Sequence, residues 1–314
     1  MSLLVVGSVA YDSVQTPAGS RDVSLGGSAT YFSIAASYFS PVSLVAVIGD
    51  DFMPEHVELL ESHAVDVSGL ERREGKTFRW SGVYSTEDLN ERETLDTQLN
   101  VFAEFKPVLT DQQRATEYLF LANIDPQLQL EVLGQMSPRP KLVALDSMNF
   151  WIEGARSHLE DIVGAVDLVF MDEGEARAFA GEENLAQAAS RIHSVGPRIV
   201  VIKRGEHGVL VSNGGSLFAL PAFILDRVVD PTGAGDSFAG GFMGMLAATG
   251  DLTDGGIRRA AVLGSVIGSF TVQDFSADRL AALSHDEITD RFAAFERLTG
   301  FAGLETGGGL PQRE

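Results

Sequence analysis

An α/β architecture with a mostly parallel central sheet is expected for this chain, together with a small antiparallel flap. Two observations carry that expectation. Apolar strand-like runs recur at Leu3 to Val6, Leu44 to Ile48, Tyr118 to Leu121, Leu142 to Leu145, Leu168 to Met171 and Ile199 to Ile202, mostly separated by segments of helix length. That is the rhythm of βαβ units. The stretch from Lys76 to Val101 breaks it: Phe78, Trp80, Val83 and Tyr84 precede a polar turn through Glu87 to Glu93, and Leu95, Leu99 and Val101 follow. Alternation of this kind suits antiparallel strands.

Along the chain, Met1 to Gly7 reads as the first strand, an apolar run without a basic leader. Asp12 to Leu25 has short-strand character and is expected to pair with the flap, forming a lid from about 12–25 and 76–101. Helices are expected at Ala29 to Tyr38, Pro54 to His63, Gln127 to Met136, Glu173 to Ala180 and Leu185 to Val195. After Val209 to Ser212, a short strand at Leu217 to Leu220 leads to a Gly-rich junction at Pro231 to Gly235. Apolar helices near Ser237 to Ala248 and Gly255 to Ser269 come next. The tail 303–314, with Gly307 to Gly309, is expected to be disordered.

Composition excludes several classes of function. A chain of 314 residues is long enough to bury a large core. It has no cysteine, so disulfides and thiolate metal sites are impossible and a cytoplasmic location is the default. The formal charge of −21 repels nucleic acid and anionic membranes, and no apolar stretch reaches the ~18 residues of a span. Gly75-Lys76-Thr77 is not a P-loop, because the preceding glycine, Gly69, is one residue too far. No dinucleotide fingerprint follows the first strand, the six histidines form no zinc motif, and no G-x-S-x-G nucleophile elbow occurs.

The strongest chemical signal is Asp230-Pro231-Thr232-Gly233-Ala234-Gly235-Asp236-Ser237-Phe238-Ala239-Gly240-Gly241, a Gly-rich turn opening into an apolar helix. Small residues let the backbone N–H groups of Gly233, Ala234 and Gly235 approach a phosphate, and the helix dipole adds to the attraction. An aspartate in the first turn, Asp236, can take the proton of a hydroxyl attacking a γ-phosphoryl group. The alternative is an N-capping aspartate after an ordinary Gly turn. On the flap, Arg79, Gln98 and Asn100 are candidates to point down onto a substrate. Trp80 and Tyr84 either stack on it or hold the flap together.

The string Asp230 to Gly241 resembles the C-terminal signature of the ribokinase (PfkB-type) carbohydrate kinase family. Gly26-Gly27-Ser28-Ala29-Thr30-Tyr31 resembles that family's substrate-site signature, with Tyr31 where Asn is usual. Gly7-Ser8-Val9-Ala10-Tyr11-Asp12 resembles the segment whose aspartate binds substrate hydroxyls, here Asp12. Asp172-Glu173-Gly174-Glu175 resembles the N-x-x-E motif, which implies that Glu175 helps organise Mg²⁺ through water. Lys203-Arg204-Gly205-Glu206-His207-Gly208 resembles the nucleotide-side turn, so Lys203, Gly205 and Gly208, with Thr232, are the implied ATP-binding residues.

From Leu3 to about Phe275 the resemblance implies a three-layer α/β/α sandwich with a β-sheet lid, one kinase domain over 1–302. The implied reaction is ATP-dependent phosphorylation of a hydroxyl on a sugar or sugar-like molecule, with Asp236 as base and Asp12, Gly26, Gly27, Ser28 and Tyr31 around the acceptor. Some relatives need a monovalent cation such as K⁺, and Asp230 is the candidate to hold it. In the family the lid can also form a homodimer contact. Two other readings stay open: a nucleoside kinase of the same fold, with Tyr31 and Trp80 as stacking surfaces, and a non-catalytic ligand-binding regulatory protein.

Overall fold

The computed structural model describes residues 2–300; the expected disordered tail, 303–314, lies outside the described residues. Strands are β1 Leu3–Val6, β2 Ala10–Thr16, β3 Gly19–Gly26, β4 Val42–Ile48, β5 Val65–Arg72, β6 Phe78–Tyr84, β7 Arg92–Gln98, β8 Tyr118–Leu121, β9 Leu142–Asp146, β10 Leu168–Asp172, β11 Ile199–Lys203, β12 Val209–Asn213 and β13 Ser216–Leu220. The α-helices are α1 Ser28–Ser37, α2 Pro54–Ser62, α3 Asp111–Arg114, α4 Pro126–Gln135, α5 Asn149–Gly154, α6 Arg156–Ala165, α7 Glu173–Ala180, α8 Leu185–His193, α9 Ala234–Thr249, α10 Asp254–Thr271, α11 Asp278–Ala281 and α12 His285–Thr299.

Nine strands make the main sheet in the order β13-β12-β11-β10-β9-β8-β1-β4-β5. All neighbours from β11 to β5 are parallel, while β12 and β13 close one side as antiparallel strands. Successive residues of a strand face opposite sides, so β1 feeds two cores. Leu3 and Val5 pack with Phe32, Phe242 and Phe270 from α1, α9 and α10. Leu4 and Val6 pack with Val132, Leu159, Ala176 and Ile192 from α4, α6, α7 and α8. This is the expected sandwich, apolar on both faces of the sheet.

The chain order also places a crevice. From β1 the chain leads to β4 and β5 on one side and to β8 and its successors on the other, a switch point whose carboxyl ends open a cleft. The small sheet, in the order β3-β2-β6-β7, reaches that cleft through Tyr84, whose hydroxyl accepts a hydrogen bond from Thr232. Its pairing of β2 with β6, expected from the sequence, is parallel.

Six elements were not anticipated, the one-turn helices α3 and α11 among them. Strand β5 has few apolar residues for an edge strand, and its Gly69 sits beside a register shift where a Cβ would lie 2.7 Å from the Leu44 carbonyl. Helices α5 and α6 fill the β9–β10 crossover. Helix α12 begins with a capping box, Ser284 and Glu287, a signal that was available in Ser284-His285-Asp286-Glu287.

Candidate active site

The floor of the cleft is the turn before α9. Helix α9 begins at Ala234, which puts Asp236 in its first turn, as expected. Gly233 has φ 75°, a left-handed conformation suited to glycine, and a Cβ there would lie 2.5 Å from the ring of Tyr31. Tyr31 is 2 % exposed. It therefore supports the turn from beneath, which corrects its expected place on the substrate surface. One further correction concerns the anion hole: the N–H of Ala234 donates to the Pro231 carbonyl at 3.2 Å. Among the described residues the N–H groups of Gly233 and Gly235 have no protein acceptor and remain for an anion.

Asp230 holds the turn in shape. Its carboxylate accepts the Thr232 N–H at 2.8 Å and the Ser276 N–H at 3.4 Å. Among the described residues no cluster of three or more carboxylates and histidines could hold a metal ion. Thr232 does not line the nucleotide-side cavity, contrary to expectation; its hydroxyl donates to the Tyr84 hydroxyl of the lid at 3.1 Å.

Asp12 comes in from β2. Its carboxylate fills the space where a Gly26 Cβ would stand, 2.0 Å from Oδ2, so only glycine fits there. Burial pushes the Asp12 carboxyl up to about 7; the Gly27 N–H opposes this, the charges of Asp230 and Asp236 add to it, and Arg92 opposes it. Asp236 is likewise pushed up to about 7, first by burial and then by the charge of Asp146, with Lys203, Arg92 and its own N–H pulling the other way. Two carboxyls poised near neutrality on one cleft are the pattern of a catalytic site. Ser28 is less available than expected, since its hydroxyl shares a hydrogen bond with Ser8 at 3.1 Å.

Lys203 ends β11 and places its amine 2.7 Å from the buried Asp146 of β9. Burial alone would lower its pKa, yet the charges of Asp146 and Glu175 outweigh it and hold the amine protonated. A Cβ on Gly235 would lie 3.0 Å from that amine, so Lys203 underlies the anion turn. Glu175, 4 % exposed, is raised by burial and by Asp172, with which it forms a capping box at the start of α7. Its carboxylate accepts the Asp172 N–H at 2.7 Å.

Beside the turn lies a cavity of about 420 Å³ lined by Lys203, Gly205, Gly208, Phe223, Ala234 and Gly268 among others, a size and lining suited to a nucleotide. Gly208 has φ 87°, and a Cβ would meet the Leu220 carbonyl at 2.0 Å. The lid reaches this side too, because Asn90 in its loop packs directly on Gly205 and lines the cavity.

Strand alternation sorts the lid residues. Asp12 pairs in register with Trp80, and Tyr84 pairs with Arg92, so Asp12, Trp80, Tyr84 and Arg92 share the inner face. Arg79 pairs with Tyr11 and Gln98 and shares the opposite face with them. Its guanidinium is bound to Asp51 at 2.8 Å and lies over the Tyr11 ring, while Gln98 is exposed and donates to Asp96. Asn100 gives its amide to the Thr77 carbonyl at 3.0 Å. All three flap candidates are thus corrected: they brace the lid. The residue overlooked is Arg92, whose signal was its even register with Tyr84 once the hairpin is paired.

A family model described as pfkB family carbohydrate kinase matches residues 2–282. The chain is 33% identical over 252 residues to the cytidine kinase of Thermococcus kodakarensis, covering 77% of this chain and 87% of that one. It is 25% identical over 266 residues to a nucleoside kinase of Methanothermobacter thermautotrophicus, covering 84% and 80%. Among solved structures, a fructokinase from Vibrio cholerae O395, in a form bound to fructose, ADP and potassium ion, superposes with a TM-score of 0.77. Sequence identity to it is 17%, over 93% of this chain and 98% of that one.

Proposed function

The chain belongs to the pfkB family of carbohydrate kinases, and from that membership we propose that it phosphorylates a hydroxyl of a nucleoside, with Asp236 as general base. It is a small-molecule kinase acting on a sugar-like acceptor at the expense of ATP. The observation that carries the nucleoside reading is Trp80. Its ring stands on the inner lid face in register with Asp12, so a sugar hydroxyl held by Asp12 leaves a flat base within reach of an indole. The relationship to cytidine and nucleoside kinases supports the same acceptor.

In this mechanism Asp12 orients the acceptor through its carboxylate oxygens. The acceptor oxygen attacks the γ-phosphorus, its proton passes to the Asp236 carboxylate, and the bond from the γ-phosphorus to the β-bridging oxygen breaks to release ADP. The free N–H groups of Gly233 and Gly235 receive charge on the transferring group. Glu175 and Asp172, a carboxylate pair at the start of α7 within the field of Lys203, would hold Mg²⁺ through water, because that ion takes most of its ligands from phosphates and solvent. When bound, Mg²⁺ supplies neutralisation of the β- and γ-oxygens. Homodimerisation through the lid belongs to the same proposal, supported by the exposure of Val23 and Leu95 on its edge strands and of Leu99 just after β7; sedimentation equilibrium tests it.

The test is ADP release from Mg-ATP with nucleosides, free pentoses, hexoses and 2-keto sugar acids. Nucleosides are expected to exceed free pentose in kcat/KM by about 100-fold or more, the scale of a stacked base plus its hydrogen bonds. Turnover with sugars alone sinks the nucleoside reading. Acceptors that raise the melting temperature without turnover favour the binding-protein reading.

A further inference from the structure

We propose that Arg92 is a catalytic residue supplied by the lid, whose guanidinium meets the phosphoryl group in transit between ATP and the acceptor. The inference rests on the kinase reading above.

Arg92 opens β7 on the inner face, directly across from Tyr84. Tyr84 is buried, Arg92 is its cross-strand neighbour, and the Tyr84 hydroxyl accepts from Thr232 in the anion turn. One hydrogen bond, Thr232 to Tyr84, and one ladder pairing, Tyr84 with Arg92, therefore place the lid cation next to the turn that holds the phosphates. The guanidinium also lies 5.9 Å from the centre of the Trp80 ring, which restricts its swing.

Asp12, Asp146, Asp172, Glu175, Asp230 and Asp236 surround the transfer path, a field that repels an incoming triphosphate. The other cations nearby are already engaged: Lys203 with Asp146, Arg204 with Glu173, and Arg79 with Asp51 on the far face of the lid. Among the described residues Arg92 has no carboxylate within ion-pair distance. Its charge is felt at both Asp12 and Asp236, the two ends of the transfer. A planar guanidinium with free donors, anchored on one side and facing a phosphate path, suits a phosphoryl group that spreads its charge over three oxygens. In the step itself the oxygen–phosphorus bond forms to the acceptor and the bond to ADP breaks; the proton goes to Asp236, and Arg92 transfers nothing. It stabilises charge only.

The experiment compares the wild type with Arg92→Met, Arg92→Lys, Glu93→Gln on the same strand, and Asp236→Asn, using ADP release with the best nucleoside. Arg92→Met is expected to lower kcat about 10²–10³-fold, with both KM values changed less than about threefold, and Arg92→Lys to recover about tenfold of that loss. The acid limb of kcat/KM in Arg92→Met should move to higher pH, because Asp236 then faces Asp146 with Lys203 as its remaining cation. Thermal unfolding should stay near wild type, since the side chain is exposed. Glu93→Gln should match the wild type throughout. A kcat within about threefold of wild type overturns the proposal, and so does a loss confined to the acceptor KM, which would make Arg92 an acceptor-binding group. A wild type without turnover on any acceptor overturns the kinase reading and the proposal with it, whereas an active wild type with inactive Asp236→Asn and unimpaired Arg92→Met overturns this proposal alone.

Discussion

Replacing Asp236 by Asn should move activity and stability in opposite directions. In the folded protein this carboxyl keeps its proton up to about 7, against 3.8 for an unperturbed aspartate. Between those values the folded chain binds more protons than the unfolded one, so the group's contribution to stability falls as pH rises through that window and is lowest above 7. Keeping the carboxylate ionised at pH 8 costs on the order of 4 kcal/mol at full burial, and about 2 kcal/mol once solvent reaching this half-buried group is allowed for. Asn removes that cost along with the base. Asp236→Asn should therefore melt about 3–6 °C above wild type at pH 8. The gain should shrink as pH falls below 7 and vanish near 4. Meanwhile kcat should fall about 10²–10⁴-fold, the usual share of a general base. Wild-type kcat/KM should decline about tenfold per pH unit below about 7, a limb to which Asp12 also contributes because it titrates in the same range. Calorimetry at pH 8, 6.5 and 5 beside a kcat/KM profile makes the comparison. A variant that loses stability at pH 8, or keeps its kcat, refutes the assignment of Asp236 as a strained, proton-accepting carboxylate.

Gly233→Ala should cost about 2–4 kcal/mol and abolish turnover, since it combines a left-handed φ with a collision against Tyr31; urea midpoints and kcat read both. Lys203→Met strands Asp146, whose side chain is 4% exposed, and should destabilise by about 3–5 kcal/mol, while adding Asp146→Asn should restore more than half of that in the same urea titration. Arg79→Ala should cost about 1 kcal/mol or less and leave kcat/KM within about threefold in the nucleoside assay, because the Arg79–Asp51 pair is partly solvated and faces away from the cleft.

Much of this protein is legible in order along the chain. Runs such as Leu142 to Leu145 and Leu168 to Met171 are buried on both sides and so read as continuous apolar segments. The string from Asp230 to Gly241 announces an anion turn because its demands are local: small residues at a bend, a helix after it and an acid in the first turn. Glycine at Gly26 and Gly208 is likewise set by backbone and neighbour within one motif or hairpin.

What sequence alone left open depends on partners distant in the chain. Which face of β6 looks inward was undecided until β2 paired beside it in parallel register, and that pairing sends Trp80 and Tyr84 toward the cleft and Arg79 away from it. Tyr31 reads as a substrate-side ring until Gly233, some two hundred positions later, is found seated on it. Lys203 reads as a cation for the nucleotide phosphates until β9 brings Asp146 beside it. Arg92 carries no motif; a hairpin register and one hydrogen bond from Thr232 to Tyr84 place it over the anion turn. Local conformation follows from neighbouring residues, but the direction of a side chain across a cleft follows from strand pairing, and strand pairing is a property of the whole fold.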